Sequence, residues 1–189
     1  MNERQEQWES RYAAVDRLWS EQPNDWLPEL AAAWEPGRAL DLGCGEGADA
    51  VWLAERGWDV TGIDLSATAI ARMEAEADRR GLGERVHGVV LDVTREELPA
   101  GPFDLVAAFY VHGGPMPGSL DLIELLGRGA RLVAPGGRLL TAVHCVNPPW
   151  HGHHARTYTP DELLSGLAGA TRGWQVEALS LIHISEPTR

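Results

Sequence analysis

Arg38-Ala39-Leu40-Asp41-Leu42-Gly43-Cys44-Gly45-Glu46-Gly47 carries an apolar stretch into three glycines at alternate positions, and a helical pattern follows from Ala48. Glycine is needed where the backbone turns sharply or where a ligand must approach the main chain closely. A strand that ends in such a turn and opens a helix forms a nucleotide-sized cradle. Further on, Asp59-Val60-Thr61-Gly62-Ile63-Asp64 ends a second strand on an acid. A carboxylate there can accept both hydroxyl hydrogens of a ribose. This part of the chain reads as a site for an adenosine-containing cofactor.

Working outward, strands and helices alternate. A helix over 48–56 stops at Gly57, and Ser66 is placed to cap a helix with Ile70, Met73 and Ala77 on one face and Gly81 at its end. Strands are expected at 86–91, ending on Asp92, at 103–109, at 138–144 after the turn Pro135-Gly136-Gly137, and at 174–179. Thr159-Pro160-Asp161-Glu162 is a helix start: a capping residue, a proline in first position, and a glutamate three after the cap. Residues 4–35 are expected to be helical with a break at 22–25, where Asn24 or Asp25 would cap the helix carrying Trp26, Leu30 and Trp34. Alternation of this kind implies an α/β fold: a doubly wound, mainly parallel Rossmann-like sheet with helices on both faces. The expected division is a helical cap over 1–35, the α/β core over 36–178 and a tail over 179–189.

That tail, Leu179-Ser180-Leu181-Ile182-His183-Ile184-Ser185-Glu186-Pro187-Thr188-Arg189, reads as the in-frame translation of a sequencing adapter rather than as evolved sequence. On that reading the sheet stops before its last strand and leaves an open edge.

The whole chain has 189 residues, with 28 acids against 16 bases and a formal net charge of −12. Phosphate backbones and anionic membrane surfaces both call for a basic footprint, so neither is an expected partner. No apolar run reaches the roughly eighteen residues of a membrane span, and the polar start Met1-Asn2-Glu3-Arg4 has no signal-peptide core. Cys44 and Cys145 alone, without such a signal, read as reduced thiols in a cytoplasmic protein. His144, Cys145, His151, His153 and His154 cluster in a Pro/Gly/aromatic loop without a paired-cysteine motif, so no metal site is expected. Five of the eight tryptophans (Trp8, Trp19, Trp26, Trp34 and Trp52) fall in the first 52 residues.

Two cofactors compete for the glycine loop. Gly43-Cys44-Gly45-Glu46-Gly47-Ala48 formally satisfies the dinucleotide fingerprint of nicotinamide-dependent oxidoreductases. Three details favour S-adenosylmethionine. Asp41 sits inside the strand, where it could hold a cationic amino group. The alternate glycines make a G-x-G-x-G loop. Leu91-Asp92-Val93 offers a carboxylate to an adenine amine and an apolar wall to its ring. A dehydrogenase would also need room for a substrate domain. A non-catalytic cofactor-binding module is the remaining alternative.

At these residues the chain resembles the class I methyltransferases. Asp41-Leu42-Gly43-Cys44-Gly45-Glu46-Gly47 is similar to their first motif, Asp64 and Asp92 to the acids ending their second and third strands, Phe103-Asp104-Leu105-Val106 to their fourth strand, and Ala134-Pro135-Gly136-Gly137 to the turn before their fifth. Trp8-Glu9-Ser10-Arg11-Tyr12 with Leu18-Trp19 resembles a narrower group that includes tellurite-resistance and thiopurine methyltransferases. The resemblance implies that Gly43, Gly45 and Gly47 bring backbone close to the methionine part of the cofactor, with Cys44 packed among them. Asp64 and Leu65 would take the ribose side, Asp92 and Val93 the adenine, and Phe109 and Tyr110 would lie beside the cofactor. Trp8, Tyr12 and Trp19 would form a lid over cofactor and substrate. The bland alternatives are that Asp64 caps the helix begun by Ser66 and that Asp92 caps a turn at Thr94. Methyl transfer is an in-line displacement that needs alignment and exclusion of water more than a fixed catalytic dyad. If a base is used, His112 and His144 are the candidates, each ending a core strand on the crevice side. The expected acceptor is a small molecule.

Overall fold

The computed structural model describes residues 2–111, 119–147 and 156–180. In chain order the elements are α1 (Glu3–Ala13), α2 (Trp26–Ala31), β1 (Arg38–Leu42), α3 (Ala48–Ala54), β2 (Asp59–Asp64), α4 (Ala67–Arg79), β3 (Val86–Val90), β4 (Phe103–Phe109), α5 (Leu122–Ala130), β5 (Val133–Ala142) and α6 (Pro160–Leu167). The five strands pair in parallel in the order β3-β2-β1-β4-β5. Order reverses between β1 and β4, and open parallel sheets bind ligands at such a reversal, outside the carboxyl ends of the strands. The α/β architecture expected from the alternating pattern is the one observed.

Side-chain alternation along the strands divides the core in two. Ala39, Val60, Val86, Leu105 and Ala107 pack with Leu27, Ala50, Leu53, Met73 and Ala77 from α2, α3 and α4. Leu40, Leu42, Ile63, Phe103, Val106 and Ala108 face the other way, onto Leu122, Leu125, Leu126 and Leu167 from α5 and α6. Strands covered on both faces must be apolar on both faces, which is why β1 and β4 read as nearly continuous apolar runs. Each fully buried leucine contributes about 1.5–3 kcal/mol. Against that background a buried acid on β1 stands out: Asp41 shares the face of Ala39, toward α3, and is 2% exposed.

The caps behave as their chemistry predicts. Ser66 accepts from the Ala69 amide, Gly81 closes α4 at φ +73°, and Thr159 and Glu162 form a reciprocal capping box. Four expectations need correction. Residues 14–21 do not continue a helix: the Leu18 and Trp19 amides donate to Glu46, and the Tyr12 and Val15 carbonyls accept from Arg72, so side chains from distant elements take the groups a helix would use. Neither Asn24 nor Asp25 caps α2 with its side chain, because the Asn24 amide and Nδ2 are both held by Asp49 at 2.7 and 2.6 Å. β5 begins at Val133, opposite Phe103, and absorbs Pro135-Gly136-Gly137 as an irregularity within the strand. Residues 174–180 form no strand. An Arg138–Glu177 ion pair tethers them, while Trp174, Val176 and Leu179 stay 41–61% exposed, so no apolar face is buried to stabilise a ladder.

Candidate functional site

The crevice opens where β1, β2 and β3 end. All three loop glycines hold positive φ: Gly43 +74°, Gly45 +53° and Gly47 +79°. At Gly47 a Cβ would lie 2.1 Å from Met73 Cγ, so the loop can reach α3 only as glycine. At Gly45 a Cβ would meet Trp19 Cδ1 and the Tyr12 hydroxyl, both at 3.2 Å. The Gly43 and Cys44 amides donate to the Ile63 carbonyl, which pins the loop to the end of β2. Cys44 is a packing residue: burial, then the charges of Asp41 and Asp64, push its thiol well above the ordinary range.

Asp41 lies at the floor of this loop, and its Oδ2 has no hydrogen-bond partner among the described residues. Burial, with the charges of Asp49 and Asp64 beside it, holds its carboxyl well above the usual carboxylate range. A buried carboxyl oxygen without a partner is a standing energetic cost, and a cationic or donor group would relieve it. Asp64 ends β2 with Oδ2 accepting from the Gly45 amide and Oδ1 from the Ser66 amide, both at 2.9 Å. It shapes the loop and starts α4 at once, while remaining partly exposed to the crevice. Burial raises its pKa despite those bonds.

Asp92, 7% exposed, is occupied on all sides. It accepts from the Thr94 amide and hydroxyl, from Asn2 Nδ2 at 2.8 Å, and from Arg4 at 2.7 Å. Burial works against its charge, but the Thr94 and Asn2 hydrogen bonds and the Arg4 guanidinium hold its pKa below the usual value. The turn at Thr94 that the sequence offered as the bland reading is therefore real. Beside it lies a cleft of about 340 Å³ lined by Leu65, Leu91 and Asp92 together with Asn2 and Gln5 of the N-terminal segment. Val93 gives its carbonyl to Arg128.

α1 and the chain after it run along the mouth of the crevice. Trp8, Tyr12 and Trp19 form one aromatic cluster, with ring centroids 6.1 and 6.5 Å from Trp8 and the Trp19 indole donating to the Tyr12 hydroxyl at 2.9 Å. Burial, then the charge of Asp64, raises the Tyr12 phenol. Glu9 accepts from the Ala67 and Thr68 amides at the start of α4. On the opposite side of the switch point, Phe109 is buried in the core. Tyr110 turns out of β4 at φ +52°, with its ring 4.8 Å from that of His144. His112 and the histidines at 151, 153 and 154 lie outside the described residues. Among the described residues no cluster of three metal-ligating side chains occurs.

The structure thus gathers Asp41, the three glycines, Asp64, Leu65 and Asp92 along one crevice with Trp8, Tyr12 and Trp19 over it. Sequence reasoning missed Asn2, Arg4, Glu46, Asp49 and Arg72, all of which bind across long sequence separations. Only Glu46, an acid set between two glycines of a tight loop, offered a local signal.

A model of a methyltransferase domain family matches residues 39–137. Among curated relatives, a ubiquinone biosynthesis O-methyltransferase from Alkalilimnicola ehrlichii is 32% identical over 157 residues, spanning 80% of this chain and 58% of the relative. A nocamycin O-methyltransferase from Saccharothrix syringae is 40% identical over 105 residues, spanning 53% of this chain and 35% of the relative. The chain accordingly spans less than two thirds of the length of these relatives. A structure solved for the conversion of a disulfide bond into a thioacetal group during echinomycin biosynthesis is 26% identical, with a TM-score of 0.69 over 92% of this chain and 80% of that one. With the family model covering more than half of its residues, and with the fold and glycine loop described above, this chain belongs to the methyltransferase domain family.

Proposed function

We propose that the protein transfers a methyl group from S-adenosylmethionine to a small-molecule acceptor. The observation that carries the reading is Asp41: a buried carboxyl oxygen with no partner among the described residues, under a glycine loop, in a chain of the methyltransferase domain family. The residues fit the cofactor. Asp41 would hold the ammonium of its methionine part, Gly43, Gly45 and Gly47 would admit that part to the backbone, with Cys44 packed in the same loop, and Asp64 with Leu65 would take the ribose. The cleft beside Leu65, Leu91 and Asp92 is large enough for an adenine ring, with Val93, next in the chain, as the further adenine candidate.

When bound, the cofactor supplies a methyl group on a positively charged sulfur, and transfer breaks that carbon–sulfur bond as a bond to the acceptor forms and the acceptor sheds its proton. The chain's own tasks are alignment and exclusion of water. Trp8, Tyr12 and Trp19 act as the lid; Phe109 backs the crevice and Tyr110 forms the wall on the acceptor side. If a base is used, His144, whose ring lies 4.8 Å from that of Tyr110, and His112 are the candidates to receive the acceptor's proton.

The finer reading places the protein near the tellurite-resistance and thiopurine methyltransferases on the strength of Trp8 to Tyr12 and Leu18-Trp19. It is read as cytoplasmic, with a helical cap over 1–35, a core over 36–178 and a non-native tail over 179–189. The charge of −12 argues against nucleic acid and membrane as partners; among the described residues no helix is long and apolar enough to cross a membrane.

Calorimetry with S-adenosylhomocysteine and with NAD tests the assignment. Binding of the former is expected; binding of NAD alone would overturn it in favour of an oxidoreductase. Turnover is then sought over oxygen, nitrogen and sulfur acceptors, and binding without turnover on any of them would favour a non-catalytic module.

A further inference from the structure

Glu46 sits between Gly45 and Gly47, yet its side chain does not face the crevice floor. It is 3% exposed, and its carboxylate accepts four backbone or guanidinium contacts: the Leu18 amide at 3.2 and 2.9 Å on its two oxygens, the Trp19 amide at 2.9 Å, and Arg72 at 2.8 Å. Arg72, from α4, spreads its other nitrogen over the Tyr12 carbonyl at 3.0 Å and the Val15 carbonyl at 2.7 Å. One ion pair therefore satisfies two amides and two carbonyls spanning the end of α1 and the segment that follows it. Those four groups belong to the stretch that carries Tyr12 and Trp19, the two side chains standing against Gly45.

We propose that Glu46 and Arg72 are positioning residues of the cofactor site: together they clasp the aromatic lid onto the glycine loop, and their contribution to cofactor affinity passes through Tyr12 and Trp19. This rests on the proposed S-adenosylmethionine site. The physical case is that a lid held by backbone groups has a fixed height. Charge-assisted hydrogen bonds are roughly twice as strong as neutral ones, and Arg72 presents a planar fork that a lysine cannot reproduce. The clasp also links the loop sequence to the lid: the same turn that brings backbone toward the cofactor carries, on its intervening residue, the anchor for what covers it.

The test uses the full chain, with S-adenosylhomocysteine as the probe. Glu46→Gln and Arg72→Lys are each expected to weaken binding by about tenfold, the loss of one or two charge-assisted bonds. In a Trp19→Ala background, already weakened, neither substitution should weaken binding further. Full additivity, or unchanged affinity in the single variants, overturns the proposal. A second readout needs no ligand: trypsin should cut after Arg11 and Arg17 faster in both variants than in the parent, while the rest of the chain resists. Unchanged cleavage also overturns it. Arg72→Lys keeps the charge and provides the measurement should Glu46→Gln fail to fold. If the parent does not bind S-adenosylhomocysteine, the cofactor assignment fails, and the trypsin result still decides whether the clasp exists.

Discussion

Two acids near the carboxyl ends of β1 and β3 are both buried, Asp41 at 2% and Asp92 at 7% exposure, and their surroundings are opposite. Asp41, at β1, has an oxygen with no partner among the described residues and two further acids close by. Asp92, just past β3, is held by Thr94, Asn2 and Arg4. The first is a destabilising group inside the folded state, the second a stabilising one. Unsatisfied buried polar groups concentrate where a protein meets a ligand, because the ligand supplies what the fold withholds. On the proposed function the β1 end would do the binding, while the β3 end already serves the fold by tying α1 down.

The largest expected effect comes from Asp41→Asn. Removing the charge should weaken S-adenosylhomocysteine binding by roughly 10- to 100-fold, as for loss of a hydrogen bond to a charged group. The same variant should melt about 2–4 °C higher, since a buried charge is gone. Calorimetry and thermal melts on one sample measure both. A variant that binds normally and melts lower would make Asp41 structural and erase the contrast.

The pH dependence sharpens it. The folded-state pKa of Asp41 is raised, so between the ordinary value near 4 and that raised value the folded state holds a proton the unfolded chain has lost. Its contribution to stability therefore falls as pH rises through that window. Asp92 runs the other way. Its folded-state pKa is lowered, so its contribution is present above about 4 and is lost as pH falls through the lowered value. The melting advantage of Asp41→Asn should be greatest at neutral pH and vanish toward pH 4. Cofactor affinity of the parent should climb with pH as Asp41 becomes charged, and that slope should disappear in Asp41→Asn.

Asp92→Ala is expected to destabilise the protein by about 2 kcal/mol in urea at neutral pH, from charge-assisted hydrogen bonds lost at both Thr94 and α1. An unchanged midpoint would mean that Asp92 is held for a ligand after all. Arg4→Ala should have the smallest effect, under about 1 kcal/mol and weaker in high salt, because Arg4 itself remains partly exposed. A loss as large as that of Asp92→Ala would show that the ion pair, rather than the Thr94 turn, dominates.

The central strands β1 and β4 were legible because they are apolar on both faces, and the others because short apolar runs end at glycine, proline or an acid. Ser66 and Thr159 were legible because caps act over three or four residues. The glycine loop and its three acids were legible for the same local reason. What sequence could not reveal was the fate of polar groups settled at long range. Residues 14–21 have helical composition but give their backbone groups to Glu46 and Arg72. Asn24 has a capping side chain but spends it on Asp49. The stretch from Trp174 to Leu179 has strand composition, but strands form only against a partner that buries them. Asp92 was marked as an adenine ligand from its position alone, and nothing local announced that Asn2 and Arg4, some ninety residues earlier, would reach it.

Tyr110 carries one more consequence. A tyrosine in the left-handed region is held there against its own preference at a cost of order 1–2 kcal/mol, here by a hydrogen bond that its amide donates to the Ala142 carbonyl of the neighbouring strand. Its ring is therefore mounted on a loaded spring rather than on a hinge. On the proposed function, molecules entering from that side would meet a wall whose shape this hydrogen bond holds. On that reading, selectivity at such a wall would be a property of stiffness: a glycine at this position would relieve the strain but give up a ring packed against the core, leaving the site less discriminating.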